Sequence, residues 1–187
     1  MSDIRRIVES RLEAARQAIE AFGRDSDQLV RISETVVGIL EAGGTIITCG
    51  NGGSAAEALH LSEELIGRFA QDRPPLRSLC LNADPTALTC IGNDYGFDEV
   101  FARQCTALAG PTDALIVFST SGRSTNIIKA LEAARNNEAT TIGLLGGDGG
   151  GAAELCDHVL MAPGSDSASI QECHQVALHA ICNCLEP

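Results

Sequence analysis

Apolar residues return at three- and four-residue intervals from the start of the chain. Ile4, Ile7, Val8, Leu12, Ala15, Ile19 and Phe22 fall on one side of a helix over 4–22. The stretch "GRDSD" at 23–27 breaks that pattern with capping residues. A second helix follows with Leu29, Ile32, Val36, Val37 and Leu40 on its apolar side, and it ends at Gly43-Gly44. Two antiparallel helices ahead of any strand predict a hairpin over 1–43 that packs on something else, another subunit being one candidate.

From residue 44 the pattern switches to short, unalternating apolar runs. "TIITC" (45–49), "SLCLN" (78–82), "ALIVFS" (114–119), "TTIGLL" (140–145) and "HVLMA" (158–162) read as strands covered on both faces. Helical stretches fall between them at 54–69, 85–92, 98–109, 124–137 and 150–156, and a last helix covers 169–185. This alternation predicts an α/β fold with a five-stranded parallel sheet between helical layers, in a single domain over 1–187. In such sheets ligands bind at the carboxyl ends of the strands, so the segments after each strand matter most.

The first strand runs into "CGNGGSAAE". Gly50, Gly52 and Ala55 fit G-x-G-x-x-A, the loose form of the dinucleotide fingerprint. Ser54 and Glu57 fit a capping box, which starts a helix with its free N–H groups turned back into the glycine turn. A tight turn with nothing bound and a dinucleotide site both remain open on this stretch alone. The dinucleotide reading wants an acidic residue at the end of the second strand, and Asp84 comes about ten residues late for that role. No Lys-Ser or Lys-Thr follows, which excludes a Walker loop.

The third strand ends in "STSGRSTN". Ser119, Thr120, Ser121 and Ser124 cluster around Gly122 where a helix should begin. Hydroxyls and backbone N–H groups at a helix N-terminus can cradle a phosphate without a lysine, and their density favours this over a plain Ser-rich turn. A second weak G-x-G-x-x-A match at 147–152 is explained equally by a flexible loop. His60 and Glu64 lie one helical turn apart on one face, where they can share a metal, a substrate or an ordinary packing contact. The last helix places Gln171, His174, Gln175 and His179 at near-helical intervals, with His179 in an apolar run that also suits a core histidine.

Charge and composition narrow the classes. The net charge of −12 speaks against nucleic acid as a direct partner, since phosphate backbones need stripes of Lys and Arg. It leaves room for a small phosphorylated ligand held by backbone N–H groups. Aromatics are 3% and Trp is absent, so base-stacking platforms are not expected. Eight cysteines form no C-x-x-C, and most sit in apolar runs, which reads as buried reduced thiols. The opening "MSDIRRIVES" has no apolar signal core and no run reaches membrane-spanning length, so the expectation is a cytoplasmic protein with no membrane partner.

Four stretches together, "CGNGGSAAEALHLSEELIGRF", "LNADPTALTCIGNDYGFDEVFARQ", "STSGRSTNIIKALEAAR" and "IQECHQVALHAI", resemble the sugar isomerase (SIS) domain family, and most closely its phosphoheptose isomerases. The resemblance covers nearly the whole chain. It implies a three-layer SIS fold in a homotetramer, with sites where subunits meet. It also implies conversion of D-sedoheptulose 7-phosphate to D-glycero-D-manno-heptose 7-phosphate through an enediol, toward cell-surface polysaccharide. By motif, Ser119, Thr120, Ser121 and Ser124 would hold the phosphate, and Asn51, Gly52, Gly53, Asn93, Asp94 and Gln171 would contact substrate. His60, Glu64, Gln171 and His179 would bind zinc, with Glu64 and His179 as the acid–base pair. Gln171 and His179 are about 12 Å apart along a straight helix, which demands an irregular helix, converging side chains or two subunits.

The chain departs from the resemblance at Arg123, commonly Asn in relatives, and at Ser169, often Arg. The competing class is a non-catalytic SIS protein that senses a sugar phosphate or binds a replication initiator. Retention of Glu64 and His179 favours the enzyme.

Overall fold

The computed structural model describes residues 2–187. Five strands form where the apolar runs lie: β1 (Ile46–Gly50), β2 (Ser78–Cys80), β3 (Ala114–Ser119), β4 (Thr140–Gly146) and β5 (His158–Ala162). All pair in parallel, in the order β2-β1-β3-β4-β5. The strand order reverses between β1 and β3, so their carboxyl ends diverge into a crevice.

The helices are α1 (Ser2–Phe22), α2 (Asp27–Glu41), α3 (Gly53–Ile66), α4 (Pro85–Tyr95), α5 (Ala102–Leu108), α6 (Thr125–Asn136), α7 (Gly150–Ala153) and α8 (Ser167–Asn183). Strand residues alternate between two cores, because successive side chains leave a sheet on opposite faces. Ile47, Cys49, Leu115 and Val117 pack with Phe101, Cys105, Ile127 and Leu131 on the face of α5 and α6. Ile46, Ile116, Phe118 and Leu144 pack with Ile32, Leu61, Leu65, Leu178 and Ile181 on the face of α2, α3 and α8. The second face therefore carries both helices on which the sequence placed its histidines.

The elements depart from expectation in three places. β2 stops at Cys80, not 82, because the Asn82 side chain takes over the pairing. Its amide bonds both the N–H and the carbonyl of Gly50, at 3.2 and 3.0 Å. The single helix expected over 98–109 divides into a 3-10 turn (Phe97–Glu99) and α5, since Val100 and Phe101 drop into the core between them, each 1% exposed. The capping box at Ser54 and Glu57 does not form. α3 starts earlier, capped by Gly52, and both Ser54 and Glu57 are buried.

The N-terminal hairpin docks through Ala18 and Phe22 onto Ala162, Ile170 and Cys173. Its other anchor is Arg11, whose guanidinium bonds Asp166 (2.9 Å), Ser169 Oγ (2.6 Å) and Glu172 (3.0 Å) around the start of α8. The outer stripe of α1, with Ile4, Ile7, Val8, Leu12 and Ile19, stays exposed.

The buried thiols match the reading from composition. Cys49, Cys105 and Cys182 are fully buried, and burial pushes Cys105 and Cys182 up to about 12. Alkylation at pH 8 is expected to modify exposed Cys90 while Cys49, Cys105 and Cys182 stay unmodified until the protein is denatured. Peptide mass mapping checks this, and native-state labelling of Cys105 or Cys182 would contradict it.

Candidate active site

The crevice between β1 and β3 holds the first part of the site. Asn51 leaves β1 and Asn126 begins α6, and their side-chain amides exchange two hydrogen bonds of 2.8 and 2.9 Å across the gap. Beside them lies a cavity of about 230 Å³ lined by Asn51, Ser54, Ser119, Thr120, Ser121, Ser124, Ser167 and Gln171. All four hydroxyl residues singled out in the sequence therefore face one space. The N-terminus of α6, capped by Ser124, opens into it with the free N–H groups and positive dipole end that suit an anion.

The serine loop is shaped by its own contacts. Ser119 Oγ accepts from the Gly122 N–H at 3.0 Å, and Thr120 and Ser167 hydroxyls meet at 3.3 Å. Gly122 has φ +61, and a Cβ there would lie 1.8 Å from the Gly149 carbonyl oxygen. The Ala152 N–H also donates to the Gly122 carbonyl at 3.0 Å. The second glycine motif, at 147–152, is thus a brace packed against the serine loop. Arg123 pairs with Asp148 of that brace. The Asp148 carboxyl is held below its usual range by the Gly150 N–H first and by Arg123 second.

A second cavity, about 430 Å³, runs between α3 and α8 and is lined by Gly53, Glu57, His60, Gln171, Glu172 and Gln175 among others. Gln171 lines both cavities. It passes so close to α3 that a Cβ on Gly53 would lie 2.3 Å from its amide nitrogen. At the far end His60, Glu64 and His179 converge, with ligand atoms all within 4.8 Å of one another. His60 Nε2 is 3.1 Å from Glu64 Oε1, and the His60 and His179 rings meet edge to face at 5.2 Å. Two imidazoles and a carboxylate are a donor set that zinc accepts, so these residues fit that ion.

Gln171 is not among those three. Gln175, one helical turn nearer to His179, stands with them: its amide nitrogen is 2.5 Å from His60 Nδ1 and 3.2 Å from His179 Nε2. α8 runs unbroken from Ser167 to Asn183, so an irregular helix does not bring Gln171 and His179 together. Asn93 and Asp94 end α4, exposed and bonded to each other at 2.7 Å, and they line neither cavity.

Two features escaped sequence reading. Glu57 faces His174 across α3 and α8, with Oε2 3.5 Å from Nδ1 and both residues almost wholly buried. The other ring nitrogen of His174 meets the Leu145 carbonyl at 3.3 Å. The S-x-x-E pattern that suggested a cap carries no mark of this distant partner. The second is Arg11, whose guanidinium reaches Ser169 from α1.

A family model described as the SIS domain matches residues 12–146. A phosphoheptose isomerase of Solidesulfovibrio magneticus is 46% identical over 182 residues, covering 97% of this chain and 89% of that protein. The chain belongs to the phosphoheptose isomerase family of SIS-domain proteins. A phosphoheptose isomerase structure from Francisella tularensis superposes with a TM-score of 0.94 at 35% identity, covering 99% of this chain and 98% of that one. Another from Neisseria gonorrhoeae gives 0.92 at 37% identity, covering 97% and 98%. The hydroxyl cradle and the His–Glu–His cluster thus sit within a phosphoheptose isomerase framework, and the dinucleotide reading of the glycine turn falls away.

In this framework the buried Glu57–His174 contact has a measurable stability effect. Glu57→Ala leaves a buried imidazole without its partner and is expected to cost about 3 kcal/mol, at the lower end for broken buried pairs. Glu57→Gln should recover much of that, because an amide N–H can donate to a neutral Nδ1. Urea unfolding measures both, and an Ala variant as stable as the parent would contradict the assignment.

Proposed function

We propose that this chain interconverts D-sedoheptulose 7-phosphate and D-glycero-D-manno-heptose 7-phosphate, as a cytoplasmic homotetramer with one zinc per subunit. The observation that carries this reading is that one residue, Gln171, lines both the hydroxyl-rich cavity and the cavity that holds His60. The four loop hydroxyls line the first cavity and His60, of the His–Glu–His cluster, lines the second, a layout that suits a phosphorylated sugar with a distant carbonyl.

Ser119, Thr120, Ser121 and Ser124 and the α6 N-terminus hold the phosphate. Asn51, Gly52 and Gly53 at the start of α3 and Gln171 of α8 meet the sugar, and Asn93 and Asp94, which lie outside both cavities, are assigned substrate contact by the family resemblance alone. Glu64 takes the proton from the carbon beside the carbonyl and returns it to the neighbouring carbon through an enediol. His179 moves the hydroxyl proton between the two oxygens. His60, Glu64 and His179 would hold the zinc, with Gln171 as the further ligand its family suggests. The ion would supply Lewis-acid polarisation of the carbonyl and hydroxyl oxygens. On one flank of the cluster Phe69 packs 5.6 Å from the His179 ring.

The exposed apolar stripe of α1 supports a partner copy, because five large apolar residues on one helix face are 42–69% exposed. No helix among the described residues is long and apolar enough to cross a membrane, in keeping with a cytoplasmic site of action. The product would enter heptose biosynthesis for lipopolysaccharide or a related surface polysaccharide.

Purified protein supplied with sedoheptulose 7-phosphate should form heptose 7-phosphate, lose activity on chelation and regain it with zinc. Glu64→Gln should lower turnover by about a hundredfold or more, the scale of a lost general base, with the assembly unchanged in size. An active Glu64→Gln enzyme would overturn the role of Glu64. Absence of turnover with and without zinc would overturn the functional reading.

A further inference from the structure

α3 ends without the usual closure of a helix. The last carbonyls of a helix have no partner within it, and a left-handed glycine commonly helps to answer them. Gly67 stands just past α3, but its φ is −79, and the last turn of α3 carries no basic residue to meet the negative end of the dipole. Arg73 supplies both needs from the loop that follows. Its Nη2 donates to the Glu64 carbonyl at 2.8 Å and its Nη1 to the Leu65 carbonyl at 3.1 Å. The Leu76 N–H also donates to the Leu65 carbonyl, at 2.9 Å, and the Gly67 N–H to the Glu63 carbonyl, at 2.7 Å. The turn closed in this way is the one that carries Glu64.

Arg73 is itself held. Its side chain is 5% exposed, and a guanidinium so buried needs a counter-charge. Glu186, just past α8 and 9% exposed at its side chain, provides one: Oε1 lies 3.7 Å from Arg73 Nε. The other oxygen, Oε2, accepts from the Gln71 N–H at 2.6 Å. Leu185 beside it packs into the core shared by α2, α3 and α8. The segment that follows the helix of His179 is thus tied to the end of the helix of Glu64.

We propose that Arg73 and Glu186 form a clasp that positions Glu64. Arg73 caps the turn from which the Glu64 side chain projects, and Glu186 keeps the guanidinium aimed at that cap. Without the clasp the last turn of α3 frays, as uncapped helix ends do, and Glu64 loses its fixed place beside His60 and His179. The step from position to catalysis rests on the role given to Glu64 above; the clasp itself does not.

The test compares the full-length parent with the double variant Arg73→Met/Glu186→Gln. The paired change leaves neither charge buried alone, and the new amide oxygen can still accept from the Gln71 N–H, so the variant should fold. Hydrogen exchange on metal-free protein should be about tenfold faster or more at the amides of 64–67, the scale of lost hydrogen bonds to a charged donor. At a temperature where both proteins are folded, kcat should fall about tenfold with KM within about twofold, because the serine loop and its phosphate contacts lie on other elements. Arg73→Lys keeps the charge but not the planar fork, and its kcat should fall between the two. A pair that served stability alone would lower the melting temperature and leave the kcat of the folded enzyme at the parent value. That result, or unchanged exchange at 64–67, would overturn the proposal. If the parent turned over no heptose phosphate, the functional reading would fail and the exchange rates alone would decide the clasp.

Discussion

Two helices supply the reacting end, and the constraint on them is the buried meeting of Glu57 and His174. Glu57 is only 5% exposed and His174 not at all, and the carbonyl of Leu145 meets the other ring nitrogen. The two side chains face each other at 3.5 Å only while α3 and α8 keep one spacing and one rotation. Glu57, His60 and Glu64 follow one another along α3, and His174, Gln175 and His179 along α8. Fixing one pair thus fixes where the next two turns of each helix meet. A buried polar contact is an uncertain contributor to net stability, but it discriminates strongly between neighbouring arrangements.

The phosphate end is built on a different principle. Its loop is backbone packed on backbone, with Gly122 against Gly149 and no room for a side chain between them. The crevice that the loop faces follows from the sheet order, because β1 and β3 send their chains to opposite sides. The reciprocal amide pair of Asn51 and Asn126 then sets the width of that crevice. One end of the site is held by side chains and the other by main chain, with Gln171 spanning the two.

The sequence made the sheet legible because buried parallel strands are apolar throughout and the segments between them are helical in period. The hydroxyl cluster was legible for a local reason, since all four residues lie between the last residue of β3 and the cap of α6. What stayed hidden depends on partners far away in the chain. Ser54 and Glu57 satisfy a capping pattern equally well whether Glu57 turns back to the helix start or inward to His174. The split of the expected 98–109 helix follows from Val100 and Phe101 reaching the core, which local periodicity does not record. Gln175 was visible as one of four residues at helical spacing, but its amide acquires meaning only when His60 arrives from α3. The placement of Arg11 beside Ser169 likewise needs the hairpin to fold back onto α8.

Arg123 and Asp148 cancel each other at the rim of the cradle, and the four hydroxyls carry no charge. What the cavity offers an anion is therefore short-range dipoles, while the chain as a whole carries −12. Dipoles fade within a turn of their helix, whereas net charge reaches out to a Debye length. A phosphorylated sugar thus approaches against a repulsive field and is welcomed only on contact. Encounter with this enzyme should quicken as ionic strength rises, the reverse of the steering by which many proteins draw in their anionic ligands.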